Sequence, residues 1–203
     1  MDAFAVSTGV VALGEMGDKT QLLALLLAAR YRAPRAIIAG IFVATLANHA
    51  AASALGAWLT RVLDPTWLRW ALGASFIAVA VWMLIPDRVD EDQADRVPGH
   101  LGVFWLTTVA FFLAEMGDKT QIATVMLAAR YDALVTVTAG TTLGMMIANV
   151  PVVVLGDKVA AKVPMRLVHG VAALIFALLG SLTLLGVGPL PGAQEPPAVP
   201  TSP

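Results

Sequence analysis

No cysteine occurs anywhere in the chain, which excludes disulfides, thiolate metal ligands and cysteine nucleophiles together. Charge is scarce as well: only 13% of the 203 residues are charged. The formal net charge of -1 offers no basic field for nucleic acid, and no nucleic-acid-binding motif is present. An HExxH zinc motif is also missing. Any bound metal therefore has to be held by oxygen or imidazole. What the chain has in abundance is apolar surface: 58% of its residues are hydrophobic and the mean hydropathy is +0.79. That balance belongs to an integral membrane protein, not to a soluble domain.

Crossing a hydrocarbon core takes roughly 20 helical residues. Six apolar stretches reach that length, near 3–29, 36–62, 67–85, 101–129, 134–156 and 165–187. The expected fold is therefore all-α, with six transmembrane helices. The breaks carry ordinary punctuation, such as RYRAPR at 30–35 and LDPT at 63–66. The segment from 188 to 203 is proline-rich and poor in hydrophobes, and reads as a disordered tail.

The first span has Asp2 where a secretory signal would be basic, and charged residues in its middle, so it reads as a retained helix. Loops one, three and five, with the residues beside them, carry Arg30, Arg32, Arg35, Arg88, Arg96, Lys158, Lys162 and Arg166; the other face has only Arg61, Arg69 and Arg130. The positive-inside rule then places both termini outside and the acidic 86–100 linker in the cytoplasm.

The chain repeats itself. LGEMGDKTQLLALLLAARY begins at Leu13 and LAEMGDKTQIATVMLAARY at Leu113. The likeness continues through Gly40 and Gly140, LANH at 46–49 beside IANV at 147–150, Gly56 and Gly156, and LRWALG at 68–73 beside MRLVHG at 165–170. Each half, 1–85 and 101–187, holds three spans. An odd number forces the halves into opposite orientations, an inverted repeat whose shared site lies near the bilayer midplane.

The repeated motif carries the chemistry. On a continuous helix Glu15 and Asp18 fall within ~60° of one face, with Thr8 two turns earlier on the same face. Thr108, Glu115 and Asp118 repeat the pattern. Gly17 and Gly117 allow close helix approach or a kink that frees backbone carbonyls. Thr20, Gln21, Thr120 and Gln121 add neutral oxygens, completing a hard-cation cage suited to Ca²⁺, Mn²⁺ or Mg²⁺.

The competing reading is that these acids merely pair with Lys19 and Lys119 to glue helices together. Each intramembrane charge costs ~2.5–3.5 kcal/mol, so six of them represent roughly 15–20 kcal/mol before pairing or snorkelling relieves it, more than glue alone justifies. The lysines read better as counter-charges than as substrate contacts. Four negative and two positive groups leave a charge of -2, which matches one divalent cation. Without a cation the clustered carboxylates repel and hold protons, and metal entry expels them. A site exposed to one side at a time would then perform antiport.

With EMGDKT at 15–20 and again at 115–120, in three-span halves joined by an acidic linker, the chain resembles the transmembrane protein 165 family over essentially all of 1–187. The resemblance implies Ca²⁺/H⁺ or Mn²⁺/H⁺ antiport, with Glu15, Asp18, Glu115 and Asp118 as cation ligands. The short chain resembles bacterial members, which implies manganese export across the inner membrane. Mn²⁺ or Ca²⁺ is then the cargo, protons the counter-ion and the lipid bilayer the surroundings. No cofactor and no nucleic acid is involved, and a homo-oligomer is left open.

Other polar residues in the spans are weaker candidates. Asn48, His49, Ser53 and Asn149 either line a pathway or satisfy helix contacts, and an imidazole ligand at His49 would favour Mn²⁺. His100 and His169 fall near span ends and read as interfacial. Trp58, Trp67, Trp70, Trp82 and Trp105 read as an aromatic belt. Asp87, Asp90, Glu91, Asp92 and Asp95 read as a solvated linker. A divalent cation channel without proton coupling is the main rival. An intramembrane hydrolase and an exporter of organic solutes fit the twofold acid pattern less well.

Overall fold

The computed structural model describes residues 3–85, 102–156 and 165–187. The expected linker at 86–100, Lys158 and Lys162, and the tail from 188 lie outside the described residues. Eight helices and no strand are found among the described residues: α1 Ala3–Glu15, α2 Lys19–Tyr31, α3 Pro34–Val62, α4 Pro65–Met83, α5 Val103–Glu115, α6 Lys119–Tyr131, α7 Leu134–Leu155 and α8 Met165–Leu184.

Four of these, α3, α4, α7 and α8, contain segments long and apolar enough to cross a membrane. Their bounds lie close to the apolar stretches in the sequence. The expected spans 3–29 and 101–129 are different: neither is one helix. Each is two 13-residue helices, α1 with α2 and α5 with α6. At about 1.5 Å per residue a helix of this length covers roughly 20 Å, less than the hydrocarbon core. The interruption is local chemistry. Gly17 and Gly117 take φ of 80° and 76°, a left-handed conformation that stops a helix and that side chains disfavour. Asp18 and Asp118 follow in extended conformation as N-caps of α2 and α6.

The halves interlock by exchanging partners. α1 packs along α7, and α5 packs along α3. Glycine permits both crossings. A Cβ on Gly40 would sit 2.8 Å from the Phe104 carbonyl oxygen, and one on Gly140 would sit 2.8 Å from that of Phe4. These matched close approaches suit helices associating in lipid, where backbone packing replaces the hydrophobic effect.

The remaining pair, α4 and α8, pack on each other, with Phe76 and Phe176 ring centroids 6.2 Å apart. Two apolar clusters result. One joins α4 and α8 to α1 and α6 through residues such as Val10, Met83, Leu127 and Phe176; the other joins α2, α3, α5 and α7 through Leu23, Ile41, Phe111 and Val153. The α4–α8 pair is thus seated to one side. Among the described residues α8 rests on α1 and α4 on α6, and neither has a comparable seat on α2 or α5.

Candidate metal centre

Two helix breaks meet at the middle of the molecule. Glu15 is the last residue of α1 and Glu115 the last of α5. In each break the aspartate N–H donates to the glutamate carbonyl at 3.1 Å, closing a tight turn. The following glutamine stitches the turn to the next helix. Gly17 N–H donates to Gln21 Oε1 at 3.0 Å, and Gly117 N–H donates to Gln121 Oε1 at 2.7 Å. The amide oxygens expected to face a cation are engaged with these backbone donors. Gln21 also donates through Nε2 to the Ala148 carbonyl of α7 at 2.9 Å, tying the first break to the second half.

Glu15, Glu115 and Asp118 converge. Each offers a carboxylate oxygen, the three oxygens lie within 4.8 Å of one another, and all three residues are buried. Thr20 Oγ1 donates to Glu15 Oε2 at 2.7 Å, and Thr120 Oγ1 lies 3.4 Å from both Glu115 Oε2 and Asp118 Oδ2. The other glutamate oxygens, Glu15 Oε1 and Glu115 Oε1, are buried with no hydrogen-bond partner among the described residues. A buried carboxylate oxygen is costly unless something pairs with it. Oxygen ligands around a hard divalent ion lie at about 2.0–2.6 Å from it, so a separation of 4.8 Å or less is one that a single ion can bridge.

The fourth acid stands outside this group. Asp18 Oδ1 pairs with Lys119 Nζ at 3.0 Å, while Lys19 Nζ pairs with Asp118 Oδ1 at 2.8 Å. Each motif's lysine therefore answers the other motif's aspartate, which is the counter-charge role the sequence suggested. The two pairs differ in their surroundings: Lys119 and Asp18 are fully buried, whereas the Lys19 side chain keeps 21% exposure. The cover supplied by α4 and α8 explains this, because α6 lies beneath it and α2 has no comparable contact with it among the described residues.

The continuous-helix geometry expected for the motif does not hold. Glu15 and Asp18 belong to different helices, so their convergence with the second motif comes from the breaks and not from sharing a helix face. Thr8 and Thr108 are not part of the cluster; each hydroxyl donates to a carbonyl one turn earlier, Phe4 at 2.8 Å and Phe104 at 2.9 Å. His49 is fully buried with neither ring nitrogen hydrogen-bonded among the described residues, and it does not join the carboxylate cluster. Asn48 donates to the Phe112 carbonyl at 3.0 Å, and Asn149 to that of Met145 at 3.1 Å, which are helix contacts. Ser53 is buried without a partner for its hydroxyl among the described residues.

His169, near the start of α8 as expected, lies with Nε2 2.7 Å from the Met16 carbonyl, inside the first break. Arg130 is buried too, and reaches the Thr183 hydroxyl and the carbonyls of Leu179 and Val187 at the end of α8. A guanidinium suits that helix C-terminus.

Residues 3–91 and 103–188 match the family described as divalent cation/proton antiporter GDT1. A Vibrio cholerae protein named "Putative manganese exporter" is 52% identical over 184 residues, covering 90% of each chain. A GDT1-like protein of Synechocystis is 29% identical over 88% of this chain and 94% of its own. GDT1-like protein 4 of Oryza sativa subsp. indica is 27% identical over 86% of this chain and 70% of its own. No solved structure matches.

Proposed function

The chain belongs to the divalent cation/proton antiporter GDT1 family, the one its doubled motif resembles, and on that premise we propose that it exports a divalent cation, manganese foremost, in exchange for protons. The observation that carries this is the group of three buried carboxylate oxygens from Glu15, Glu115 and Asp118, drawn from both halves. Thr20 and Thr120 orient the carboxylates, and Asp18 with the two lysines sets the charge around them. Gln21 and Gln121 brace the breaks by accepting from the Gly17 and Gly117 N–H groups, and the second lone pair of each amide oxygen is available to the cation.

Manganese is the preferred cargo because of the 52% identity to a protein named for it; the ligand set is all oxygen and accepts Ca²⁺ as well. Carboxylates this close cannot all stay charged without a cation or protons among them. Binding of the ion therefore releases protons, and their return resets the site. The chain acts as a transporter, with the ion as cargo and no chemical conversion. Six spans in two inverted halves, the first and fourth broken at the motifs, with both termini outside the inner membrane, complete the proposed arrangement.

The direct test is to add Mn²⁺ to the detergent-purified protein in weak buffer with a pH dye. Release of protons in proportion to bound metal is expected. Binding without proton release would contradict exchange at one shared site.

A further inference from the structure

The two halves match in their partner exchange, in their broken helices and in their crossed ion pairs, yet α4 and α8 break the match. A pair related by the same pseudo-symmetry as the rest would stand equally against α1 and α6 on one side and α5 and α2 on the other. It rests on α1 and α6. The side it covers holds the fully buried Lys119–Asp18 pair and a half-buried Met16. The side it leaves holds the partly exposed Lys19 and a Met116 that is 58% exposed.

Two polar contacts span the seat on the covered side: Arg130 of α6 meets the Thr183 hydroxyl and the carbonyls of Leu179 and Val187 at the C-terminal end of α8, and His169 meets the first break near the N-terminal end of α8. Helix breaks leave carbonyls without helical partners, and the Met16 carbonyl meets His169 Nε2 at 2.7 Å, from the opposite half of the chain. At the second break no side chain reaches the Met116 carbonyl among the described residues. Between these two contacts the seat is apolar, contributed by Val10, Ala173, Phe176 and their neighbours. Apolar contact is non-directional and lets packed helices slide, whereas a hydrogen bond fixes a register.

We propose that His169 is a positioning residue for transport: its bond to the Met16 carbonyl, with the Arg130 contacts at the other end of α8, holds the α4–α8 pair on the α1–α6 side, and the pair crosses to the α2–α5 side during the cycle. Crossing would bury Lys19 with Asp118 and open Lys119 with Asp18, exchanging the roles of the two motifs. Inverted repeats support two such mirror-related states around one fixed site. The inference rests on the transport reading above, since only a transporter has to visit both states.

The absence of cysteine makes the test clean. Met16→Cys and Met116→Cys would be introduced separately and labelled with a membrane-impermeant maleimide added to both faces of proteoliposomes. Each would be compared in three backgrounds: His169, His169→Leu, which removes the hydrogen-bonding ring, and His169→Gln, which retains a donor. Losing one hydrogen bond shifts the balance between seats by about five-fold. Labelling in His169→Leu is therefore expected to rise at position 16 and to fall at position 116, with both restored in His169→Gln. Unchanged labelling at both positions would overturn the proposal, and so would a rise at 16 without a fall at 116, the mark of local fraying. Should the leucine variant fail to insert, His169→Asn, too short for the 2.7 Å contact, takes its place. Labelling needs no transport, so failure of this inference is distinguishable from failure of the antiport reading, which would show as absent Mn²⁺ uptake by the native chain.

Discussion

Lys119 Nζ lies 3.0 Å from Asp18 Oδ1, with both side chains wholly shielded from solvent, and the two residues come from different copies of the same motif. A buried pair of this kind contributes little net stability, yet removing one partner leaves the other charge poorly compensated. Asp18→Asn is expected to cost about 3–5 kcal/mol, within the range for breaking such pairs. Asp118→Asn should cost less, because Lys19 retains contact with the surface. Thermal unfolding of the two variants in detergent, followed by tryptophan fluorescence, checks the order.

Glu15→Gln and Glu115→Gln keep the shape of each side chain and remove its charge. Both variants should insert and fold, because the clustered carboxylates repel one another when no cation is bound. Both should lose the stabilisation that Mn²⁺ gives the native chain, about 2.7 kcal/mol at a hundred times Kd. Unfolding curves with and without Mn²⁺ measure this. A mutant still stabilised to the native extent would remove its glutamate from the ligand set.

Thr20 donates at 2.7 Å to Glu15, and Thr120 lies at 3.4 Å from Glu115, so the two threonines should differ. Thr20→Val leaves a buried carboxylate oxygen without its donor, at about 1–3 kcal/mol. Thr20→Ser restores the hydroxyl and should recover most of the loss. Thr120→Val should lose less than Thr20→Val. Chemical or thermal unfolding of the three variants reads the difference.

Much of the site was legible in the sequence because its chemistry is written out twice. The doubled EMGDKT motif located Glu15, Glu115 and Asp118, and counting charges gave Lys19 and Lys119 their counter-charge role. The all-helical class and the bounds of α3, α4, α7 and α8 followed from hydropathy. The helix breaks were not visible that way, because hydropathy averages over windows and does not register one glycine at φ of 76° or 80° followed by a capping aspartate. Reading Glu15 and Asp18 on one continuous helix consequently misplaced the aspartates, which follow the breaks, whereas Thr8 and Thr108 do share a helix with Glu15 and Glu115. His169 escaped for another reason: its partner is a backbone carbonyl 153 positions away, and a carbonyl carries no residue-type signal.

Gly117 tests the break itself. A Cβ there would meet nothing within 4 Å, so the cost of Gly117→Ala comes from the left-handed backbone alone, about 1–2 kcal/mol. Gly117→Asn should cost less, since asparagine visits that region more readily. By contrast, Gly40→Ala places its methyl 2.8 Å from the Phe104 carbonyl oxygen and should force α3 and α5 apart, a packing defect that Asn cannot relieve. Unfolding temperatures of the alanine and asparagine variants at both positions separate the two causes.

The central claim is exchange of a divalent cation for protons at a site built from both halves. Uptake of Mn²⁺, and separately of Ca²⁺, into proteoliposomes with an imposed pH gradient tests it most directly, with the native chain beside Glu115→Gln. Uptake driven by the gradient, stronger for Mn²⁺ and abolished in the mutant, is the expected result. Uptake indifferent to the gradient, or retained in Glu115→Gln, would contradict proton-coupled exchange at the shared carboxylates.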